Sequence, residues 1–126
     1  MLRALKQLLR PGGRLAYTTI FVTPGLDPIR RRRARRSGPR AVGSRSDQRR
    51  LLVSAGFTDI EMVDLTPEWA RTARGWLAGW TENEAELVSV ESPAAFAERQ
   101  RERQTQLRAI DDGLLRRALF SAARPR

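Results

Sequence analysis

Two side chains on which many active sites depend are missing from this sequence. It has no cysteine and no histidine. That removes thiolate nucleophiles, disulfides, imidazole bases and the commonest transition-metal ligands together. Acid–base chemistry would fall to Asp, Glu, Tyr17 or the single lysine, Lys6. Three groups of residues could still meet a ligand. Trp69, Trp76 and Trp80, with Ala73 and Leu77, fall at i, i+4, i+7, i+8 and i+11 and share one helix face. Such a stripe could wall a pocket for a flat or apolar ligand, or simply pack its helix onto a sheet. Thr18, Thr19 and Phe21 lie in the stretch Thr18 to Thr23, read as the turn at the carboxyl end of a strand, where α/β sheets bind ligands. Arg30, Arg31, Arg32, Arg33, Arg35 and Arg36 form a cationic run that could contact anions. Glu68, beside Trp69, could act as a base, although a carboxylate in the first turn of a helix is expected for stability alone. No residue is assigned to catalysis, cofactor binding or a metal on these grounds.

At 126 residues the chain suits one small domain but is short for a complete doubly wound enzyme. Apolar residues make up 40%, below the usual 45–50% or so, which limits the core. No apolar run approaches the roughly 18 residues of a membrane span. The opening Met1 to Arg10 has leucines at 2, 5, 8 and 9, helical spacing rather than the unbroken core of a signal peptide. A soluble, cytoplasmic protein is expected. The net charge of +10 is concentrated in residues 30–50, where ten arginines face one acid, Asp47. Because 23 of the 24 basic residues are arginine, part of this bias reads as coding preference. The run still repels itself, so residues 24–43 are expected to form a basic, mobile loop, or a contact for nucleic acid or another anionic surface.

The elements that must position these groups follow from local signals. Residues 2–9 read as a helix stopped by Pro11-Gly12-Gly13. Residues 14–22 are β-branched, aromatic and nearly uncharged, as in a strand buried on both faces. Ser44, three residues before Asp47, resembles an amino-terminal cap for a helix that carries Leu51, Leu52 and Ala55 inward. Gly56 closes that helix, and Phe57 can fold back on it. Residues 58–65 alternate imperfectly and read as a strand. Residues 67–90 are helical, with Gly75 and Gly79 as weak points and a break between Trp80 and Asn83. Ser92-Pro93 opens a polar helix that runs toward Ile110, and Asp111-Asp112-Gly113 turns the chain into a last short strand, 117–123.

The segment Leu8-Leu9-Arg10-Pro11-Gly12-Gly13-Arg14-Leu15 resembles the junction between the fourth crossover helix and fifth strand of class I S-adenosylmethionine-dependent methyltransferases. Ser54-Ala55-Gly56-Phe57-Thr58-Asp59-Ile60 resembles that family's junction into its sixth strand. Leu119-Phe120-Ser121-Ala122-Ala123-Arg124-Pro125 resembles its closing seventh strand. The three landmarks occur in family order and cover nearly all of residues 1–126. The resemblance implies an α/β fold: the second half of a doubly wound, Rossmann-like sheet, strand order 5-7-6. Residues 117–123 would lie antiparallel in its middle, with a helical insertion at 67–113 before that last strand.

The resemblance also implies an absence. The family binds S-adenosylmethionine with a glycine-rich turn after its first strand and an acid ending its second. Neither occurs in this sequence, and Gly12-Gly13 precedes a strand rather than following one. The chain is therefore expected to be a methyltransferase half, inactive alone, that does not bind the cofactor. Its methyl acceptor would be a small molecule. The expected partner is the missing amino-terminal half, or a second copy through the open edge of residues 14–22. A basic nucleic-acid-binding module and a non-catalytic subunit are the alternatives.

Overall fold

The computed structural model describes residues 1–39 and 47–126. Helix α1 (Leu2–Leu8) ends where Leu9 turns extended, and Pro11-Gly12-Gly13 reverses the chain. Gly12 takes a left-handed φ of 79°, and a Cβ on Gly13 would sit 2.8 Å from the Arg10 carbonyl oxygen. The turn is pinned from the far end of the chain. Gly12 N–H donates to the Arg124 carbonyl and Arg124 N–H to that of Gly13, both at 2.8 Å. The Arg124 guanidinium then satisfies the otherwise unpaired Leu9 carbonyl at 2.6 Å.

Strand β1 (Arg14–Val22) leads into α2 (Pro28–Ser37). This corrects the expectation of a loop over 24–43, of which residues 40–43 lie outside the described residues. Asp27 caps α2 by accepting from Arg30 N–H at 2.8 Å, and Pro28 occupies the first turn, where its missing N–H costs nothing. Ala34 and Ser37 are buried, Ser37 Oγ donates to the Arg33 carbonyl at 2.8 Å, and Arg33 pairs with Asp112 at 2.6 Å. Arginine is also a good helix former. Together these outweigh repulsion among like charges, worth about 0.2–0.5 kcal/mol per neighbouring pair.

The expected cap at Ser44 lies outside the described residues. Helix α3 (Gln48–Ser54) is capped by Asp47, which accepts from Arg50 N–H at 3.1 Å. Gly56, at φ 90°, closes it: Phe57 N–H bonds the Leu52 carbonyl and Gly56 N–H that of Val53. Strand β2 (Thr58–Asp64) follows, then α4 (Thr66–Glu82), a break at Asn83, and α5 (Glu84–Val90). Ser92 caps the long α6 (Pro93–Asp111) through Ala95 N–H at 3.1 Å. Gly113, at φ 75°, turns the chain into β3 (Leu115–Ala123), two residues longer at its start than the sequence suggests.

The three strands form one sheet in the order β1-β3-β2, with β3 antiparallel to both neighbours. Side chains alternate across it, and each face carries a core. Phe21, Ala118, Phe120 and Ala122 point toward α1 and α3, where Leu52, Ala55 and Phe57 complete a cluster. On the other face Val22 and Leu115 meet Ala34 of α2, Ala70 of α4, and Ala109 and Ile110 of α6. Burial of β1 on both faces holds only at its carboxyl end. Phe21 and Val22 are buried, but Arg14, Ala16 and Thr18 are exposed, because the helices of the second cluster cover only that end.

Candidate functional site

The residues singled out from the sequence separate into three places. Thr18 and Thr19 belong to the middle of β1 rather than to the turn after it, which spans residues 23–26. Both line a largely apolar cavity of about 760 Å³. Leu2 and Leu5 of α1, Leu51 of α3 and Ala55 just beyond α3 form its walls. Tyr17 lies at its base, with its hydroxyl donating to Gln48 Oε1 at 3.0 Å, and partial burial raises the phenol above its usual value. Phe21 does not reach this cavity. It is buried edge-on to Phe120, with ring centroids 6.0 Å apart.

The tryptophans lie elsewhere. Trp69 packs against the second core cluster, as a stripe residue holding α4 to the sheet should. Trp76 and Trp80 meet edge to face at 5.8 Å, and the Arg103 guanidinium of α6 lies 3.2 Å from the Trp80 ring centroid. Burial, then Arg99, lowers Arg103, and Glu91 and Glu102 oppose that shift. Trp76 is 63% exposed. Glu68 sits in the first turn of α4, exposed and 3.8 Å from Arg71, as a helix-stabilising carboxylate would.

The carboxyl ends of β1 and β2 frame a shallower cavity of about 460 Å³ whose residues, apart from Thr23, the sequence did not flag. Asp64, at the end of β2, accepts from the Thr66 hydroxyl (2.6 Å), Thr66 N–H (3.0 Å) and Arg116 (2.9 Å). The Thr66 hydroxyl is the first cause holding this carboxyl below its ordinary value; burial opposes it, and the Thr66 N–H and Arg116 add to the lowering. Asp111, across the cavity, is paired with Arg74. The spacing Asp64-Leu65-Thr66-Pro67 was a readable sign, since Asp two residues before a helix start bonds the backbone there. Both acids are neutralised by arginine, so the arrangement orders the sheet edge rather than presenting a free base. Among the described residues no group of three or more potential ligands is placed to hold a metal ion.

No protein-family model matches this sequence, and no curated protein matches it. Solved structures do match in fold. Over 99% of this chain the fold is similar to phosphoethanolamine N-methyltransferase 2 of Haemonchus contortus, solved with phosphomonomethylethanolamine and S-adenosylhomocysteine, at TM-score 0.80 and 19% identity. A putative sarcosine dimethylglycine methyltransferase from Galdieria sulphuraria matches 98% of the chain at 0.82 and 17%. The cyclopropane synthase MmaA2 from Mycobacterium tuberculosis matches 98% at 0.75 and 17%. These define the class of fold, that of the class I S-adenosylmethionine-dependent methyltransferases. The chain spans 29%, 46% and 48% of those three proteins, respectively.

Among the described residues no strand enters a helix through a glycine-rich turn of the kind used to hold S-adenosylmethionine. Close approach of backbone to such a ligand needs a glycine-rich strand-to-helix turn. The turn after β1 has one glycine, Gly25, and the turn after β2 has none. Asp64, an acid ending a strand, is already held by Thr66 and Arg116. No helix among the described residues is long and apolar enough to cross a membrane.

Proposed function

We propose that the chain is the carboxy-terminal half of a cytoplasmic class I methyltransferase, and that it acts only when joined to an amino-terminal half that holds S-adenosylmethionine. In that reading β1, β3 and β2 are the fifth, seventh and sixth strands of a longer sheet, and α4 to α6 are the helical insertion before its last strand. The observation that carries it is the free edge of β1. Nine residues with almost no charge pair with β3 on one side and, among the described residues, with no strand on the other. An apolar cavity opens beside that edge, and Leu8 of α1 stays 82% exposed. Such an edge is normally paired or covered. The match of nearly all of this chain to half or less of the methyltransferases named above supports the same reading. Their acceptors differ too widely to carry one over, so the acceptor is proposed only as a small molecule.

Calorimetric titration of residues 1–126 with S-adenosylmethionine should give no heat of binding. A one-to-one site of micromolar affinity would overturn the reading. Joining an amino-terminal half that bears the glycine-rich turn should create that site and raise the melting temperature of the carboxy-terminal half.

A further inference from the structure

One strongly charged surface has no role in the sheet or its cores. Helix α2 carries six arginines in seven residues. Arg33 is tied to Asp112, and Arg31 donates to the Leu26 carbonyl at 3.1 Å. No carboxylate among the described residues lies within 4 Å of Arg30, Arg31, Arg32, Arg35 or Arg36. Residues 40–46 contain no acid that could serve them. Arg32, Arg35 and Arg36 stand at i, i+3 and i+4, turned away from buried Ala34 and Ser37, so their charges are concentrated on the solvent side of one short helix.

That charge is linked to the exposed tryptophan only through side chains of α6. The carboxyl end of α2 faces α6 across an open cavity of about 700 Å³, lined by Arg36, Arg101 and Arg103 together with Glu98 and Glu102. Arg103 reaches through to lie on Trp80, and Trp80 supports Trp76 edge-on. Arginines thus recur from α2 across α6, interspersed with Glu98 and Glu102, and lead through Arg103 to an indole pair on α4 whose Trp76 is 63% exposed.

We propose that this α2–α6–α4 face binds single-stranded nucleic acid, with phosphates on Arg32, Arg35 and Arg36 and an unstacked base on Trp76. Arginine rows follow a phosphate backbone without reading sequence, and aromatic faces stack any base. A membrane surface fits less well. The exposed apolar side chains here, Ile29 of α2 and Trp76 of α4, are separated by polar α6 and form no band able to enter a bilayer. The surface is independent of methyl transfer and stands or falls without it.

Fluorescence anisotropy of residues 1–126 with a labelled 15-nucleotide oligouridylate tests this. About three phosphate contacts predict that log affinity falls against log salt with a slope near −2. Replacing Arg32, Arg35 and Arg36 by serine should weaken binding at least tenfold or so, and Trp76→Ala by about tenfold. Replacing Arg3, Arg49 and Arg50 by serine removes the same charge from the α1–α3 side and should change affinity less than about threefold. Should a variant fail to fold by circular dichroism, quenching of tryptophan emission in the unaltered chain on binding provides the second measurement. Equal losses from the two triple variants, an unchanged Trp76→Ala, absence of quenching, or binding to phosphatidylserine vesicles without binding to the oligonucleotide would each overturn the proposal.

Discussion

Strand β2 carries Asp59, Glu61 and Asp64 within seven residues and shifts register between Thr58 and Glu61, whereas β1 carries only Arg14 within nine and keeps perfect register with β3. Both are edge strands of the same three-stranded sheet. Charges and bulges are the devices by which sheets refuse further pairing. One edge is therefore finished, and the other has the composition of a strand from the middle of a sheet. Even Arg14 reaches back over the end of β3 to exposed Asp59, bonded at 2.5 Å. The contrast supports the proposal that the sheet continues beyond β1 rather than beyond β2.

The two edges share β3, so the largest effect should come from the strand between them. Phe120 stacks on Tyr17 at 5.8 Å and meets Phe21 at 6.0 Å. Phe120→Ala should cost about 3–5 kcal/mol, comparable with the whole stability of a small domain. Urea titration would read this, and a loss below about 1 kcal/mol would mean that the edges do not depend on a common core. Met62→Ala, on the outer edge and 44% exposed, should cost about 1 kcal/mol or less.

A smaller effect is expected where β2 begins. Gly56 is left-handed, and the Lys6 ammonium occupies the space a Cβ would need, whereas Gly25 is left-handed in open space. Gly25→Ala and Gly56→Ala should each cost about 1–2 kcal/mol through backbone strain, with little added at Gly56 because the Lys6 ammonium is the free end of a flexible side chain. Thermal melts in which Gly56→Ala cost nothing would undo this account of the α3–β2 junction.

The edge contrast itself is sharpened by charge. Thr18→Lys should alter stability by about 0.5 kcal/mol or less, yet reduce association of the chain with itself or with an added half. Glu61→Lys on β2 should leave association unchanged. Light scattering at matched concentrations compares them, and equal behaviour of the two variants would remove the distinction between finished and open edges.

The smallest effect concerns Asp64. Its carboxyl is held below the ordinary value of 3.8 in the folded chain, so its stabilisation is present above that value. It is lost as pH falls through the lower folded value. Because the group is 39% exposed, solvent screening should keep the contribution under about 1 kcal/mol near neutral pH. Asp64→Asn should narrow its gap to the parent as the solution is acidified well below 3.8. A gap that widens on acidification would reverse the assigned sign.

Element order was legible in the sequence because its signals are local. Pro11-Gly12-Gly13, Gly56 and Ser92-Pro93 act through backbone freedom, a missing N–H or a short hydroxyl bond, each within a few residues of its effect. The helix at α2 was hidden although Asp27-Pro28 is also a local start signal. The repulsion of six arginines looked decisive until tertiary structure supplied Asp112 for Arg33 and a buried seat for Ala34 and Ser37. The candidate sites were less legible still. Nothing in the spacing of residues reveals that Thr18 shares a cavity with Leu51, that Phe21 turns into the core, or that Arg103 seats itself on Trp80. Those meetings join elements far apart in the chain and are decided by which faces pack, and only the tertiary structure determines that.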